Sequence, residues 1–314
     1  MNMAETRQFG DTKLRGRLTH DESMAKHVSW RAGGRAARAY APVDVEDLAA
    51  FLRTLPADEP VCFVGLGSNL LVRDGGFKGS VILLHDTQAA VRLEEDGGAT
   101  PLVYAEAGLA SPKVARFAAN QSLEGAEFLA GVPGTIGGAL AMNAGCYGSE
   151  TWEYVVKAQT IARNGSLHIH MPDEFDLAYR HVALRGATLG ADEWFVAGWF
   201  RFRRGDAARA RSLIKDLLAR RIESQPLNLP NAGSVFRNPP GDHAARLIEA
   251  CGLKGYAVGG ARISEKHANF IVNPKGAGTA ADIEALIEHA RAAVEAKFGV
   301  RLVPEVRIIG EAAS

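Results

Sequence analysis

The chain has few cysteines and no long apolar run. Its 314 residues include three cysteines, Cys62, Cys146 and Cys251, and no Cys-x-x-Cys pair. This spacing argues against zinc or iron–sulfur ligation, so we expect reduced thiols and no metal site. No stretch reaches about 18 consecutive apolar residues, so we expect no membrane-spanning helix.

An excess of charge of either sign is also lacking. The 36 basic residues equal the 36 acidic residues in number, so the formal net charge is zero. Such a balance provides no general attraction to nucleic acid or to an anionic membrane, and we expect neither as a partner. Residues 1–25 are polar and contain no apolar run of the signal-peptide type. We therefore expect a polar N-terminal tail and a cytoplasmic protein.

Length and pattern indicate about two domains. A chain of 314 residues is longer than most domains with a single hydrophobic core. The sequence pattern changes after Arg204-Gly205-Asp206, and we place a domain boundary near residue 205. The expected domains are therefore 26–205 and 206–314.

Hydrophobic periodicity predicts a mixture of helices and strands. Asp44 is a typical N-terminal cap, and the clearest helix is predicted to start at Thr279 and to end at Gly299. Ser111-Pro112 predicts another helix start, with Ser111 in the cap position. Short apolar runs between turn residues predict strands. The predicted strands cover 61–64, 81–84, 102–107, 158–163, 195–203 and 302–309, and two more helices lie at 213–224 and 244–250.

The first motif with chemical content is Gly65-x-Gly67-Ser68-Asn69, which directly follows an apolar strand. Glycines at such a turn allow several backbone N–H groups to face one anion, most naturally a phosphate. The motif differs from the dinucleotide-binding fingerprint because Leu70 replaces the third glycine, and it lacks the lysine of a P-loop. The alternative interpretation is a tight turn between two core elements.

The second motif covers residues 129–148, where six glycines occur in an almost uncharged stretch. Ordering so many glycines costs conformational entropy, and a backbone that must lie close to a flat ligand explains that cost. The alternative is a close-packed crossing of strands. Two glycine-rich loops about sixty residues apart suit a dinucleotide better than a mononucleotide.

Three polar residues stand out beyond these loops. Ser234 lies among small residues in Asn231-Ala232-Gly233-Ser234, where a turn is the more common interpretation and no Ser-His-Asp triad is indicated. Arg180 follows Tyr179, and Glu305 interrupts the apolar segment 302–306. An acidic residue in such a segment lies either on an exposed strand edge, which the sequence alone favours, or in a polar pocket.

Taken in order, these motifs resemble the bacterial UDP-N-acetylenolpyruvoylglucosamine reductase family. The resemblance runs from about residue 27 to residue 310, and the ordered set is far more specific than any one motif. Only 53 residues lie between Arg180 and Ser234, positions 181–233, which resembles the shorter, second subclass of the family. The matching segments are 27–34, 67–71, 133–148, 179–180, 231–234, 252–255, 264–270 and 304–305.

The resemblance implies an α+β fold with two parts. Residues 26–205 would form an FAD-binding fold of the vanillyl-alcohol-oxidase, or PCMH, type, with subdomains at about 26–93 and 94–205. Residues 206–314 would form an α+β substrate-binding domain. The implied reaction is the NADPH-dependent, FAD-mediated reduction of UDP-N-acetylglucosamine enolpyruvate to UDP-N-acetylmuramate, a step of peptidoglycan synthesis. FAD would be held non-covalently, the partner would be a small UDP-sugar, and we expect a monomer rather than an oligomer.

The resemblance also implies roles for individual residues. Arg180 would stabilise the negative charge that develops beside the substrate carboxylate. Glu305, protonated or tightly coupled to Arg180, would orient and polarise this centre, and Ser234 would donate a proton to it. Arg221, Arg237 and Asn238 are candidates for binding the substrate. The candidates for binding the cofactor are Gly65, Gly67, Ser68, Asn69, Leu70, Gly131, Pro133, Gly134, Thr135, Gly137, Gly138, Asn143, Gly145 and Tyr147.

Two other functions compete with this hypothesis. The first is another FAD oxidoreductase of the same superfamily that oxidises an alcohol or a sugar. The second is a nucleotide-sensing protein that keeps the glycine loops but has no need of Arg180, Ser234 or Glu305. One departure from the family pattern concerns the surroundings of Arg180, because Val182 stands where many relatives have a serine.

Overall fold

The structure is a computed structural model that describes residues 14–86 and 89–313. The chain divides into two compact units. The first unit contains the described residues up to Thr19, Ala39–Gly65 and Gly79–Ala219. The second unit contains His20–Arg38, Leu66–Lys78 and the described residues from Arg220 onward.

Local capping interactions set the ends of the clearest helices. The Asp44 side chain accepts a hydrogen bond from the N–H of Asp47 at 2.9 Å, as predicted for the first helix. Thr279 and Asp282 form a reciprocal capping box, and Gly299 ends the same helix with φ 67°. Among the described residues, no helix combines the length and apolarity needed to cross a membrane. The helices are α1 (Val45–Thr54), α2 (Ser111–Asn120), α3 (Ile136–Met142), α4 (Ala207–Ser224), α5 (Ala244–Ala250) and α6 (Ala280–Phe298).

The strands are mostly short. In chain order they are β1 (Arg17–Ser23), β2 (Arg35–Ala41), β3 (Val61–Val64), β4 (Leu70–Val72), β5 (Phe77–Leu83), β6 (Val91–Glu94), β7 (Leu102–Glu106), β8 (Leu123–Glu124), β9 (Gly145–Cys146) and β10 (Ser149–Glu150). The later ones are β11 (Val155–Ala162), β12 (Leu167–His170), β13 (Phe175–Ala178), β14 (His181–Leu184), β15 (Glu193–Arg201), β16 (Arg203–Arg204), β17 (Ala257–Val258), β18 (Ala261–Ile263), β19 (Ile271–Val272) and β20 (Arg307–Ile309).

The largest sheet lies in the first unit and has the order β12-β11-β15-β7-β6, with antiparallel neighbours throughout. Strand β15 is buried along almost its whole length, as expected for a central strand. The main core of this unit joins the sheet to α2 and α3 through residues such as Val114, Ile136, Leu140 and Phe200. A four-stranded sheet has the order β1-β2-β5-β3, in which β3 and β5 run parallel.

The second unit has its own core beneath α6. Ile283, Leu286, Ile287 and Val294 form the buried stripe that the helical spacing predicts, and they pack in one cluster with Phe236. A three-stranded antiparallel sheet has the order β17-β18-β19. Strand β20 pairs in parallel with β4, Arg307 opposite Leu70. This pairing joins the C-terminal segment to the chain that follows the first glycine turn.

Three expectations about secondary structure are corrected. Ser111 is the first residue of α2 and makes no capping hydrogen bond from its side chain, because Ala110 occupies the cap position. Only Arg307–Ile309 of the predicted strand 302–309 is a strand, since the preceding residues pair with a loop. Part of the expected N-terminal tail, Arg17–Ser23, is strand β1. This strand contains no apolar run, and it forms by pairing with β2. Residues 1–13 of that tail lie outside the described residues.

Candidate active site

The second glycine-rich segment folds into α3 followed by the small hairpin β9–β10. Asn143 ends α3 in the left-handed conformation, with φ 41°. Its buried side chain donates to Glu150 at 2.8 Å and accepts from the N–H of Trp152 at 3.1 Å. Asparagine tolerates this backbone conformation better than most residues. Asn143 therefore fixes the shape of the loop, a role that the sequence analysis did not foresee.

The glycines of this region fall into two groups. A Cβ added to Gly65 would lie 2.3 Å from Thr135 Oγ1, and one added to Gly137 would lie 2.9 Å from the Cβ of Ala107. One added to Gly131 would lie 2.6 Å from Cys146 Sγ. Close packing of the protein alone thus explains these three glycines. Gly138 differs, because a Cβ there would meet no described atom within 4 Å apart from its chain neighbours and the backbone of α3.

A short hairpin presents Arg180. Strands β13 and β14 pair with Ala178 opposite His181, so Arg180 lies in a two-residue turn, with φ 54°. Its Nη2 donates to the carbonyl of Gly145 at 2.7 Å, and its Nη1 donates to the carbonyl of Asn143 at 3.2 Å. The structure therefore brings a predicted catalytic residue to the predicted cofactor loop, both within the first unit. This hairpin was not predicted, although its alternating apolar residues are typical of strands.

The first glycine turn, residues 65–69, contacts the segment around His27. Gly67 has φ 60°, and a Cβ there would lie 2.1 Å from the carbonyl oxygen of His27. The N–H of Ser29 donates to the carbonyl of Gly67 at 3.1 Å. The ring of His27 lies 3.0 Å from a carboxylate oxygen of Glu22, and this contact holds the pKa of Glu22 below its usual range. Gly67 is thus required by its conformation and by its close neighbour.

Asn69 links the first glycine turn to the segment of Glu305. Its side-chain amide donates to the carbonyl of Glu305 at 3.1 Å. Its own carbonyl accepts from the N–H of Arg307 at 3.0 Å. Because these contacts hold both ends of a three-residue stretch, they position Glu305 next to a predicted cofactor loop. The predicted location of Glu305 in a continuous strand is wrong, since the residue is half-buried in a loop before β20.

The segment of Ser234 lies beside that of Glu305. The N–H of Glu305 donates to the carbonyl of Val235 at 2.7 Å, and the N–H of Arg237 donates to the carbonyl of Val303 at 2.9 Å. On its other side, the segment is held by the buried Asn269, whose side chain accepts from the N–H of Phe236 at 3.0 Å and donates to its carbonyl at 2.8 Å. Asn269 was known from the sequence only as part of a family motif, without a role.

The three candidate substrate-binding residues have different surroundings. Arg221, near the end of α4, donates from Nε to Gln225 at 2.9 Å. The exposed Asn238 accepts from the N–H of Ala244 at 3.1 Å, at the start of α5. Arg237 has a buried Nε with no hydrogen-bond partner anywhere in residues 14–86 and 89–313. A buried donor of this kind calls for a partner, which a ligand would supply.

The geometry fits a flat, phosphate-bearing cofactor. Gly138 leaves open space over its backbone near the start of α3, and Gly65 brings the end of β3 against Thr135 of the second loop. The open space over Gly138 is what close approach of a ring system or a phosphate to the backbone requires, and the packing at Gly65 holds the two loops together. Fold and site together define an FAD-binding oxidoreductase with a second α+β unit.

Comparison with known proteins identifies the family. Residues 36–169 match the model described as "FAD binding domain", and residues 225–309 match "UDP-N-acetylenolpyruvoylglucosamine reductase, C-terminal domain". The chain is 58% identical over 320 residues to UDP-N-acetylenolpyruvoylglucosamine reductase of Thiobacillus denitrificans, which covers 98% of each chain. The reductase of Legionella pneumophila (strain Corby) is 51% identical over 301 residues, covering 96% of this chain and 95% of the relative. This chain belongs to the UDP-N-acetylenolpyruvoylglucosamine reductase family.

A solved structure agrees with this assignment. The crystal structure of the reductase from Thermus caldophilus superposes with a TM-score of 0.74 at 28% identity, covering 94% of this chain and 98% of that one. The predicted family, the α+β FAD-binding fold with its C-terminal domain, and the flavin-dependent reductase activity with FAD and NADPH are thereby confirmed. The alternative of an oxidase acting on an alcohol or a sugar is not favoured.

Proposed function

We propose that Arg180, Ser234 and Glu305 carry out the NADPH-dependent reduction of UDP-N-acetylglucosamine enolpyruvate to UDP-N-acetylmuramate. The observation that carries this proposal is the 2.7 Å hydrogen bond from the N–H of Glu305 to the carbonyl of Val235, the residue after Ser234. It joins two segments that are 70 positions apart in the sequence, 235 to 305. Such a contact supports a shared role for their side chains.

The chemistry required of the residues follows from the substrate. The flavin, when bound, supplies hydride transfer from NADPH to the enolpyruvyl double bond. Reduction at the terminal carbon leaves negative charge on the neighbouring carbon and its carboxylate. The guanidinium of Arg180 stabilises that charge more strongly in the transition state than in the ground state. Its two hydrogen bonds to the carbonyls of Asn143 and Gly145 hold the planar group in one orientation.

Ser234 completes the reduction by giving its hydroxyl proton to the carbanionic carbon. A serine is a weak acid, but a carbanion is a strong base, so the transfer runs downhill. Gly233 before it has φ 75°, and a Cβ added there would meet no described atom within 4 Å apart from its chain neighbours, so the turn before Ser234 is open. Glu305 orients and polarises the same centre, protonated or coupled to a cation so that it does not repel the developing charge.

Substrate and cofactor are held by separate sets of residues. Arg237 is the strongest candidate for a substrate oxygen because its buried Nε has no partner among the described residues. Arg221 and Asn238 are weaker candidates, since each already contacts another part of the second unit. The cofactor would lie over Gly138 and the two glycine-rich loops, bound without a covalent link. Residues such as Gly131 and Gly137 would shape these loops from within.

The test separates the two half-reactions. In Ser234→Ala, reduction of the bound flavin by NADPH should keep its rate, whereas reoxidation by the enolpyruvyl substrate should slow by about 100-fold or more. Ser224→Ala is the matched control, because the Ser224 hydroxyl is exposed and donates to the carbonyl of Arg220 in its own helix. Stopped-flow absorbance of the flavin measures both steps. An unchanged reoxidation rate in Ser234→Ala would remove the serine from the reaction.

We also propose that the protein is a cytoplasmic monomer, with sequence domains at 26–205 and 206–314 after the N-terminal tail. These domains differ from the compact units of the fold, since His20–Arg38 and Leu66–Lys78 belong to the second unit and the first unit extends to Ala219. Equal numbers of basic and acidic residues support a protein that binds neither nucleic acid nor membrane. The two family matches, 36–169 and 225–309, lie on either side of residue 205 and support that boundary. Light scattering coupled to size-exclusion chromatography should give the mass of one chain, and a dimer mass would contradict the proposal.

A further inference from the structure

Two histidines and a glutamate gather on the large sheet of the first unit. His168 and His170 are two residues apart on β12, so their side chains lie on the same face of this edge strand. Glu193 begins β15, on the other side of β11. One ligand atom from each residue lies within 4.8 Å of the other two. None of the three was singled out from the sequence, which indicated no metal site.

The carboxylate of Glu193 lies at the centre of this cluster. His168 Nδ1 lies 2.9 Å from Oε1, and His170 Nε2 lies 3.1 Å from Oε2. The hydroxyl of Thr160 also donates to Oε2. The Glu193 side chain is only 10% exposed, so these contacts, rather than water, orient the carboxylate. The side chains of an isolated ion pair on the surface are not held in one orientation to this extent.

His170 has a carboxylate at each of its two ring nitrogens. Its Nε2 faces Glu193, and its Nδ1 lies 3.1 Å from Glu174 Oε2. Without a metal, both nitrogens must carry hydrogen to satisfy both contacts. With a metal at Nε2, the Glu174 contact becomes the carboxylate–histidine–metal arrangement that orients histidine ligands in many proteins. Glu174 is thus placed as a supporting residue.

The spacing suits a small divalent ion. Zinc lies about 2.0–2.2 Å from nitrogen and oxygen ligands, which in a tetrahedral site places two ligand atoms about 3.3 Å apart. The observed contacts of 2.9 and 3.1 Å end on different oxygens of Glu193, and the three ligand atoms lie within 4.8 Å of one another. Binding would therefore need one shared carboxylate oxygen and small movements of the two imidazoles. His168 is 39% exposed, so an ion could enter from solvent and keep a water as its fourth ligand.

We propose that His168, His170 and Glu193 bind one divalent transition-metal ion, with Zn²⁺ as the representative of its class and Glu174 supporting His170. Two imidazoles and one carboxylate are a ligand set that zinc uses in proteins. The ion would connect edge strand β12 to β15 across β11, and so stabilise the first unit. The proposal is independent of the reductase mechanism, since none of the four residues belongs to the catalytic or cofactor-binding set.

The test is calorimetric titration of the metal-free, FAD-loaded full chain with ZnCl₂. The wild type should bind one equivalent, and both His168→Asn and His170→Asn should lose this binding. Glu174→Gln should weaken it about 10–100-fold, as expected for a residue that supports a ligand. His181→Asn is the matched control, because His181 is an exposed histidine of the same unit and should leave the affinity unchanged.

A second measurement distinguishes loss of metal binding from poor folding of a variant. ZnCl₂ should raise the thermal unfolding midpoint of the wild type and of His181→Asn, because a ligand that binds only the folded state stabilises it. It should not raise that of His168→Asn, in which the changed residue is partly exposed at the sheet edge. The absence of saturable binding by the wild type would overturn the proposal. So would binding by His168→Asn and His170→Asn equal to that of the wild type, which would assign the zinc to other groups, such as the cysteine side chains.

Discussion

Arg180 donates a hydrogen bond from Nη2 to the backbone carbonyl of Gly145, 35 positions earlier in the chain, at 2.7 Å. Gly145 belongs to the glycine-rich loop proposed to hold the cofactor, and Arg180 is the residue proposed to stabilise the developing negative charge. One contact therefore couples the shape of the loop to the orientation of the guanidinium. A change in either partner should affect the other.

Arg180→Lys should lower turnover by about 100-fold or more. The ammonium cannot reach two carbonyls and a substrate carboxylate with a planar fork, so the charge is present but wrongly placed. Steady-state oxidation of NADPH in the presence of the enolpyruvyl substrate measures the effect. Arg185→Lys is the control, because Arg185 makes an exposed ion pair with Asp176 beside the same hairpin. Turnover of Arg180→Lys close to that of the control would argue against the assigned role.

Gly138→Ala should separate cofactor binding from folding. Apart from its chain neighbours and the backbone of α3, no described atom lies within 4 Å of the added Cβ, and alanine favours a helix over glycine by up to about 1 kcal/mol. The cofactor-free protein should therefore be as stable as the wild type or slightly more stable. If FAD lies over this backbone, the affinity of the protein for FAD should fall at least about ten-fold, because the added methyl group would prevent close contact between the cofactor and the backbone.

The comparison for that variant is Gly137→Ala, at the neighbouring position. There the added Cβ would lie 2.9 Å from the Cβ of Ala107, so the cofactor-free protein itself should lose stability. Flavin fluorescence titration and thermal unfolding without FAD distinguish the two effects. Unchanged FAD affinity in Gly138→Ala would place the cofactor elsewhere.

Asn69→Ala should loosen the segment that carries Glu305. The variant removes the 3.1 Å hydrogen bond from the Asn69 side chain to the carbonyl of Glu305. We expect the free energy of unfolding to fall by about 0.5–1.5 kcal/mol, with a fall in turnover as well. Denaturant unfolding of the cofactor-free protein checks the first effect. Asn120→Ala, at an exposed position at the end of α2, is the control and should change stability little. A variant as stable as this control would mean that the hydrogen bond does not hold the segment.

Local signals account for what the sequence predicted well. Helix α1 begins at the predicted cap Asp44, and α6 begins at the predicted start, where Thr279 is the cap, because a cap is set by residues three positions apart. Strand β1 was not predicted, since most of its residues are exposed. The hairpin of β13 and β14 was also not predicted, because each strand has only four residues, although apolar residues alternate along it. The loop conformation of Glu305 depends on residues far along the chain, such as Val235. An apolar run could not indicate that.

In the candidate site, too, features set by neighbouring residues were predicted, whereas features set by distant residues were not. The two glycine-rich loops could be found from composition, but the roles of Arg180, Ser234 and Glu305 came from resemblance to a family. Asn269 holds the backbone of Phe236 through both of its side-chain hydrogen bonds. Nothing within a few residues of Asn269 indicates this, because its partner lies 33 positions away.

His267 should make stability depend on pH in the weakly acidic range. Burial holds the pKa of His267 below the ordinary 6.5. A backbone hydrogen bond opposes this effect, and the smaller charge effects of Lys254 and Glu249 lower and raise the pKa, respectively. The Nδ1 of His267 accepts from the N–H of Asn269 at 3.3 Å, a contact that the neutral ring makes and the doubly protonated ring cannot. Between the lowered pKa and 6.5, the unfolded chain binds more protons than the folded chain. The free energy of unfolding is therefore highest above pH 6.5 and falls as the pH drops through this window.

Replacement of His267 by Gln should flatten this part of the stability profile, because an amide oxygen can accept the same hydrogen bond without titrating. Denaturant unfolding at several pH values on both sides of 6.5 measures the slope. His181→Gln, which changes an exposed histidine, should leave the slope as in the wild type. A slope that persists unchanged in His267→Gln would assign the pH dependence to other groups. A chemical-shift titration of the His267 ring that gave a pKa above 6.5 would contradict the burial argument itself, since desolvation can only lower it.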